Sequence, residues 1–208
     1  MSKKIPAFTS NDVEITDVTP VYSGFFKMQQ YTFRHKLFAG GWSDDVKREI
    51  FERGHAVAVL PYDPARQEFV LIEQVRIGAL ATSSSPWLIE IIAGIIDKGE
   101  TKESVCHREA MEEAGIKLAH LTPATSYLSS PGGTTERLHI FVAQTDAATA
   151  EGIHGLEEES EDIRVHRVAE QTALEWLKNG HIDNAASIIA LQWFFLHKSE
   201  LMEQWQSQ

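Results

Sequence analysis

The chain is poor in the features that mark secreted, membrane-spanning or nucleic-acid-binding proteins. Cys106 is the only cysteine among 208 residues, so no intrachain disulfide is available, which suits a reducing cytoplasm. No apolar run approaches the ~20 residues that a membrane span needs. The opening residues, Met1-Ser2-Lys3-Lys4-Ile5-Pro6, begin positively charged but have no apolar stretch behind them, and no signal peptide is expected. Cationic side chains are scarce: 19 Lys and Arg stand against 30 Asp and Glu, for a net charge of -11. Nucleic acids and anionic membranes bind basic patches, so neither is expected as a partner. Internal repeats and low-complexity tracts are missing as well.

What remains is the composition of a folded protein, 43% hydrophobic and 24% charged, long enough for one domain with a real core and a small appendage. Residues 11–19 alternate apolar and polar, residues 25–38 are rich in β-formers, Gly40-Gly41 reads as a turn and residues 45–52 as a returning strand. Residues 1–53 are therefore expected to form an N-terminal antiparallel β-subdomain. So small a sheet buries little alone and must pack on the main body or on another chain. The main domain, 54–208, is expected to hold strands at 55–60, 68–76, 87–92, 117–128, 137–145 and 162–168. Pro61–Pro64 reads as a turn, 82–86 as a loop and 146–161 as a long acidic loop. Two helices are expected at the end, 170–179 closed by Gly180, then one capped by Asp183 and running to about Trp205. Strands that bracket a helix, followed by helices, indicate an α/β sandwich with a mixed sheet.

The most informative stretch is 93–116. Its second half predicts a helix with Thr101 as N-cap, Glu103 near its positive end and Gly115 as a left-handed stop. Val105, Ala110 and Met111 give it an inward side, and Gly94 and Gly99 a flexible approach. Glu109, Glu112 and Glu113 fall at i, i+3 and i+4 and share a face. Three carboxylates within a turn repel one another unless neutralised. Arg108 supplies part of this through its i+4 neighbour Glu112, and a hard divalent cation, magnesium or manganese, would supply the rest. Charged helix faces are usually just solvated, so it is the full spacing that carries weight here. Gly94, Glu100, Arg108, Glu109, Glu112, Glu113 and Gly115 match every fixed position of the Nudix box, which the stretch resembles; Ala110 and Ile116 fill its apolar positions.

That resemblance implies a Nudix-type α/β/α sandwich and a metal-dependent hydrolase of a nucleoside diphosphate linked to another group. By position, Glu109 and Glu113 would be the main metal ligands, with the Ala93 carbonyl as another, and Arg108, Glu100 and Glu112 would orient them. An acidic protein holds an anionic substrate only through intervening cations, which also implies metal.

Beyond the box, the chain resembles the ADP-ribose pyrophosphatase branch of bacterial Nudix enzymes at Gly24-Phe25-Phe26, at 48–55, at Glu73-Gln74-Val75-Arg76, at 129–137 and at 159–163. Pro131, sixteen residues after Gly115, fits that branch's marker. The resemblance implies hydrolysis of ADP-ribose to AMP and ribose 5-phosphate by a metal-activated water, with two or three Mg2+ (or Mn2+) ions. Carried over by position, Glu159 is the base and Glu161 a further ligand, within a run of glutamates at 157–161 that leaves the choice open. Ser130, Pro131, Gly132 and Glu136 would border ribose and phosphates, Arg53 and Arg76 would contact phosphate or adenine, and Arg48 and Glu49 would sit at the adenine edge. Phe25 or Phe26 would stack on the base, with core or interface packing as the other reading. Ile95 would lie beside the substrate. The branch also implies a homodimer that exchanges the N-terminal subdomain. The alternatives are another nucleotide sugar or dinucleotide as substrate and, in a different class, a non-catalytic nucleotide sensor.

Overall fold

In the computed structural model the described residues are 8–207; the opening residues 1–6, read above for a targeting signal, lie outside them. The chain divides into two compact units, Met1–Gly54 with Leu128–Glu136, and His55–Tyr127 with Arg137–Gln208.

The first unit holds β1 (Val13–Ser23), β2 (Lys27–His35) and β3 (Val46–Glu52), an antiparallel sheet in the order β1-β2-β3. Gly40 and Gly41, at φ +92° and +80°, turn the chain between β2 and β3 in the left-handed region that glycine tolerates. The 128–136 segment joins this unit because Phe51 donates its N–H to the Gly133 carbonyl (2.8 Å) and Thr134 Oγ1 donates to the Phe51 carbonyl (2.8 Å). Every residue of β1 is exposed.

The second unit is an eight-stranded mixed sheet. Its strands are β4 (Ala56–Asp63), β5 (Glu68–Val75), β6 (Trp87–Glu90), β7 (Ile92–Ile95), β8 (Ala119–Leu128), β9 (Arg137–Gln144), β10 (Ile153–His154) and β11 (Ile163–Ala169). The order is β10-β11-β5-β4-β9-β8, with β6 paired to β5 and β7 to β4, and β4 runs parallel to β9. The buried strands send alternate residues to opposite faces. Ala58, Leu60, Leu71 and Ile140 form one core with the long C-terminal helix, whereas Val57, Val59, Val70, Ile72 and Phe141 form the other with Val105 and Ala110. Three helices, α1 (Lys102–Ala114), α2 (Glu170–Asn179) and α3 (Ala185–Gln206), complete an α/β/α sandwich.

Local details differ from the sequence expectation. Pro61 lies inside β4 rather than in a turn. It falls between the part of β4 that pairs with β7 and the part that pairs with β5, a break where a missing N–H is tolerated. The 87–92 strand splits into β6 and β7, which pair with different neighbours. The acidic loop contains the short strand β10, too brief to leave a periodic signal. Met111 is exposed, and the inward side of α1 is Val105, Cys106, Ala110, Glu113 and Ala114. Asn184, not Asp183, caps α3 by accepting the Ser187 N–H, while Asp183 accepts from Ser83 Oγ.

Candidate active site

Helix α1 begins and ends as its sequence dictates. Thr101 caps it in a reciprocal box with Ser104, and Gly115 closes it at φ +65°. Between them, Arg108 acts as a hub. Its Nε donates to Glu100 Oε1 (3.0 Å), and its Nη1 to Glu109 Oε1 (2.8 Å) and Glu112 Oε2 (2.9 Å). The Arg108 bonds, and the Asp97 N–H behind them, hold the Glu100 carboxyl below its ordinary range.

Glu109 and Glu113 behave differently. Burial pushes the Glu109 carboxyl up to about 7, helped by the charges of Glu112 and Glu161 against the opposing pull of Arg108. Burial pushes Glu113, only 4% exposed, up to about 8, with Glu109 and Glu161 adding to it and the Ala93 N–H, 3.1 Å from Glu113 Oε2, working against it. Glu161 is thus close enough for its charge to act on both. Among the described residues no three acidic, histidine or cysteine side chains are gathered tightly enough to hold an ion as they stand. Glu109 is turned to Arg108 and Glu161 to the Leu156 N–H (3.1 Å). Crowded oxygens that take up protons and backbone donors in this way suit a hard divalent cation.

Gly94 is not part of a flexible loop. It lies in β7 opposite Val57, and a Cβ there would run into the Glu109 carboxylate. Glycine is needed because a carboxylate lies over the strand. Ile95, the next residue of β7, is half-buried opposite Ala56.

Glu159 lies in an exposed 3-10 turn, Glu157–Glu159, ended by Ser160 at φ +56°. Arg76 is committed to an ion pair: its Nε and Nη2 both lie 2.9 Å from Glu90 Oε2. Burial raises the Glu90 carboxyl even so. Glu90 was missed from sequence because nothing in its pattern separates a half-buried partner from a surface acid. Gln74 was missed too. It is 7% exposed and its Nε2 has no hydrogen-bond partner. Strand alternation puts it on the sheet face of Val70 and Ile72, the face covered by α1.

In the first unit, Arg53 Nε lies 3.1 Å from Glu136 Oε1, near enough for an ion pair but off the line of a hydrogen bond. Its guanidinium carbon stands 5.5 Å from the centre of the Phe26 ring, and Phe26 also meets Phe51 edge-on. Phe25, by contrast, is 89% exposed. Ser130 accepts the N–H groups of Gly133 and Thr134 through its carbonyl, making a tight turn of Pro131 and Gly132. Arg48 and Glu49 are consecutive on β3 and leave the sheet on opposite faces.

The model of the NUDIX domain matches residues 52–191. The chain is 55% identical over 198 residues to the ADP-ribose pyrophosphatase of Escherichia coli K12, covering 95% of each chain. It is 47% identical over 205 residues to that of Haemophilus influenzae, covering 97% of this chain and 94% of the relative. A crystal structure of an ADP compounds hydrolase superposes with a TM-score of 0.68 at 22% identity, covering 93% of this chain and 96% of the other, a likeness of fold.

Proposed function

Because the chain belongs to the Nudix family, we propose that it is an ADP-ribose diphosphatase that uses Mg2+, with Mn2+ as a substitute, to release AMP and ribose 5-phosphate. The observation that carries this reading is the group of Glu109, Glu113 and Glu161, whose burial and mutual repulsion hold two carboxyls far above their ordinary range. Positive charge placed beside these carboxyls would relieve that repulsion.

The family is metal-dependent. Glu109, Glu113, Glu161 and the Ala93 carbonyl would hold two or three ions, and bound metal supplies an acidified water and offsets charge on the phosphate oxygens. Arg108, gripping Glu100, Glu109 and Glu112, orients the helix carboxylates. Glu159, on the exposed turn 157–159, takes the proton of the attacking water. In the first unit, Phe25 presents its ring to adenine, because Phe26 is already engaged with Arg53 and Phe51. Arg53, Glu136 and the Ser130–Gly132 turn address the ribose and phosphates. Arg76 acts through its charge, and the half-buried Glu90 holds its position.

We infer a homodimer as well, on the exposed apolar side chains of β1: Val13, Ile15, Val18, Val21 and Tyr22. A reducing cytoplasm is the compartment we infer, because a single cysteine leaves no intrachain disulfide to form.

A panel of ADP-ribose, GDP-mannose and NADH, assayed with Mg2+ in excess, tests the reading. ADP-ribose is expected to have the highest kcat/KM. If another substrate ranks first, the choice is wrong, and no turnover of any of them would favour a nucleotide sensor.

A further inference from the structure

The loop that carries Glu159 and Glu161 is a hairpin tip whose stem is fastened to α1. Ile153 and His154 pair with Arg164 and Ile163, and the Val165 N–H donates to the Gly152 carbonyl (3.1 Å). Directly after the stem, Gly155 donates its N–H to the Glu112 carbonyl at 3.2 Å. Glu112 is among the last four residues of α1, whose carbonyls have no intrahelical partner, so Gly155 satisfies one of them. The His154 ring lies over Gly115, where an added Cβ would come within 2.6 Å of the ring's Cε1. Its Nε2 is 2.8 Å from the Glu151 carbonyl, a hydrogen bond in the Nε2–H tautomer that fixes the ring. Beyond it the chain turns sharply. Gly155 has φ +104°, and a Cβ there would meet Glu161 Cβ at 2.6 Å. Leu156 and Glu161 then lock together, the Leu156 N–H on Glu161 Oε2 (3.1 Å) and the Glu161 N–H on the Leu156 carbonyl (3.2 Å).

We propose that His154 is a positioning residue, which with Gly155 docks the glutamate-bearing loop onto the C-terminal end of α1 and so sets Glu159 and Glu161 against Glu109 and Glu113. This rests on the hydrolytic reading above. His154 acts only through the backbone of 155–161. Gly115 is then glycine for two reasons, its left-handed backbone and the imidazole above it.

The test compares wild type with His154→Ala, His154→Gln and Gly155→Ala. In the metal-free protein, amide hydrogen exchange at Gly155 and Glu161 is expected to quicken about tenfold or more in His154→Ala, with the interior of α1 unchanged. In turnover, kcat should fall about tenfold or more while KM for ADP-ribose stays within about twofold, since small misplacements of a reacting group cost rate rather than binding. His154→Gln, which keeps a donor for the Glu151 carbonyl, should recover much of the loss, and Gly155→Ala should reproduce it. Unchanged exchange in the loop, or unchanged kcat, overturns the proposal. So does a loss of protection spread equally through α1 and β5, which would make His154 an ordinary packing residue. Failure of wild type to cleave ADP-ribose would sink the functional reading instead, and exchange would still decide the docking.

Discussion

As a proposed metal ligand, Glu113 would have to be charged while buried. Its neighbour Glu109 faces the same conflict in milder form, and in the metal-free protein both resolve it by holding protons, at about 8 and about 7 against an ordinary 4.5. A carboxyl that binds its proton more tightly when folded contributes stability that is full below about pH 4.5 and lost as pH rises through 7 and 8. The melting temperature of the metal-free protein should therefore fall between about pH 5 and about pH 8. The stabilisation given by excess Mg2+ should grow over the same range, because the ion displaces those protons. Differential scanning fluorimetry with and without Mg2+ measures both. Glu113→Gln removes the conflict: metal-free Tm near pH 8 should rise, Mg2+ should stabilise much less, and turnover should be abolished with circular dichroism unchanged. Retained turnover would remove Glu113 from the ligand set. Gln74 poses a related question, since a buried amide without a partner costs about 1–3 kcal/mol. If the amide serves only the fold, Gln74→Met should hold or raise Tm and leave kcat alone. A higher Tm with a lower kcat would mean that the amide faces the chemistry.

At the scale of elements, the pairing of β7 with α1 decides whether the carboxylates reach their places. Glu109 lies over Gly94, so Gly94→Ala must move either the strand or the carboxylate. Because β7 is pinned by four register pairs to β4, the carboxylate should yield. The expected result is a loss of about tenfold or more in Mg2+ affinity or kcat with little change in Tm, as for other changes that disturb a ligand's orientation. Titration calorimetry with Mg2+ separates the two. The glycine was legible in the sequence as a fixed position, but its reason was not. Spacing alone suggested a flexible approach, whereas the structure shows a strand with a carboxylate packed against it. The stem of the acidic loop was likewise hidden, since a two-residue strand has no period to detect and its helix contact joins residues over forty positions apart.

At the scale of the whole molecule, β1 is an edge strand with apolar side chains in solvent, an arrangement that invites pairing with another chain. Sedimentation equilibrium is expected to give twice the 23.3 kDa monomer mass, and Val21→Asp should shift the population toward monomer. A monomer for wild type would leave β1 without its proposed cover.

The sequence by itself determined the helix with its cap and its stop, the identity of the carboxylates that share one face, and the order of strands and helices along the chain. All of these are local: a periodicity or a fixed spacing states them outright. Only the tertiary structure decided which acid is buried and which is solvated, that Arg76 is bound to Glu90, that the Gln74 amide nitrogen is buried without a hydrogen-bond partner and that His154 lies on Gly115. Burial and partnership arise from chain segments brought together from afar, and the same glutamate or arginine has the same local pattern whether water or protein lies beside it.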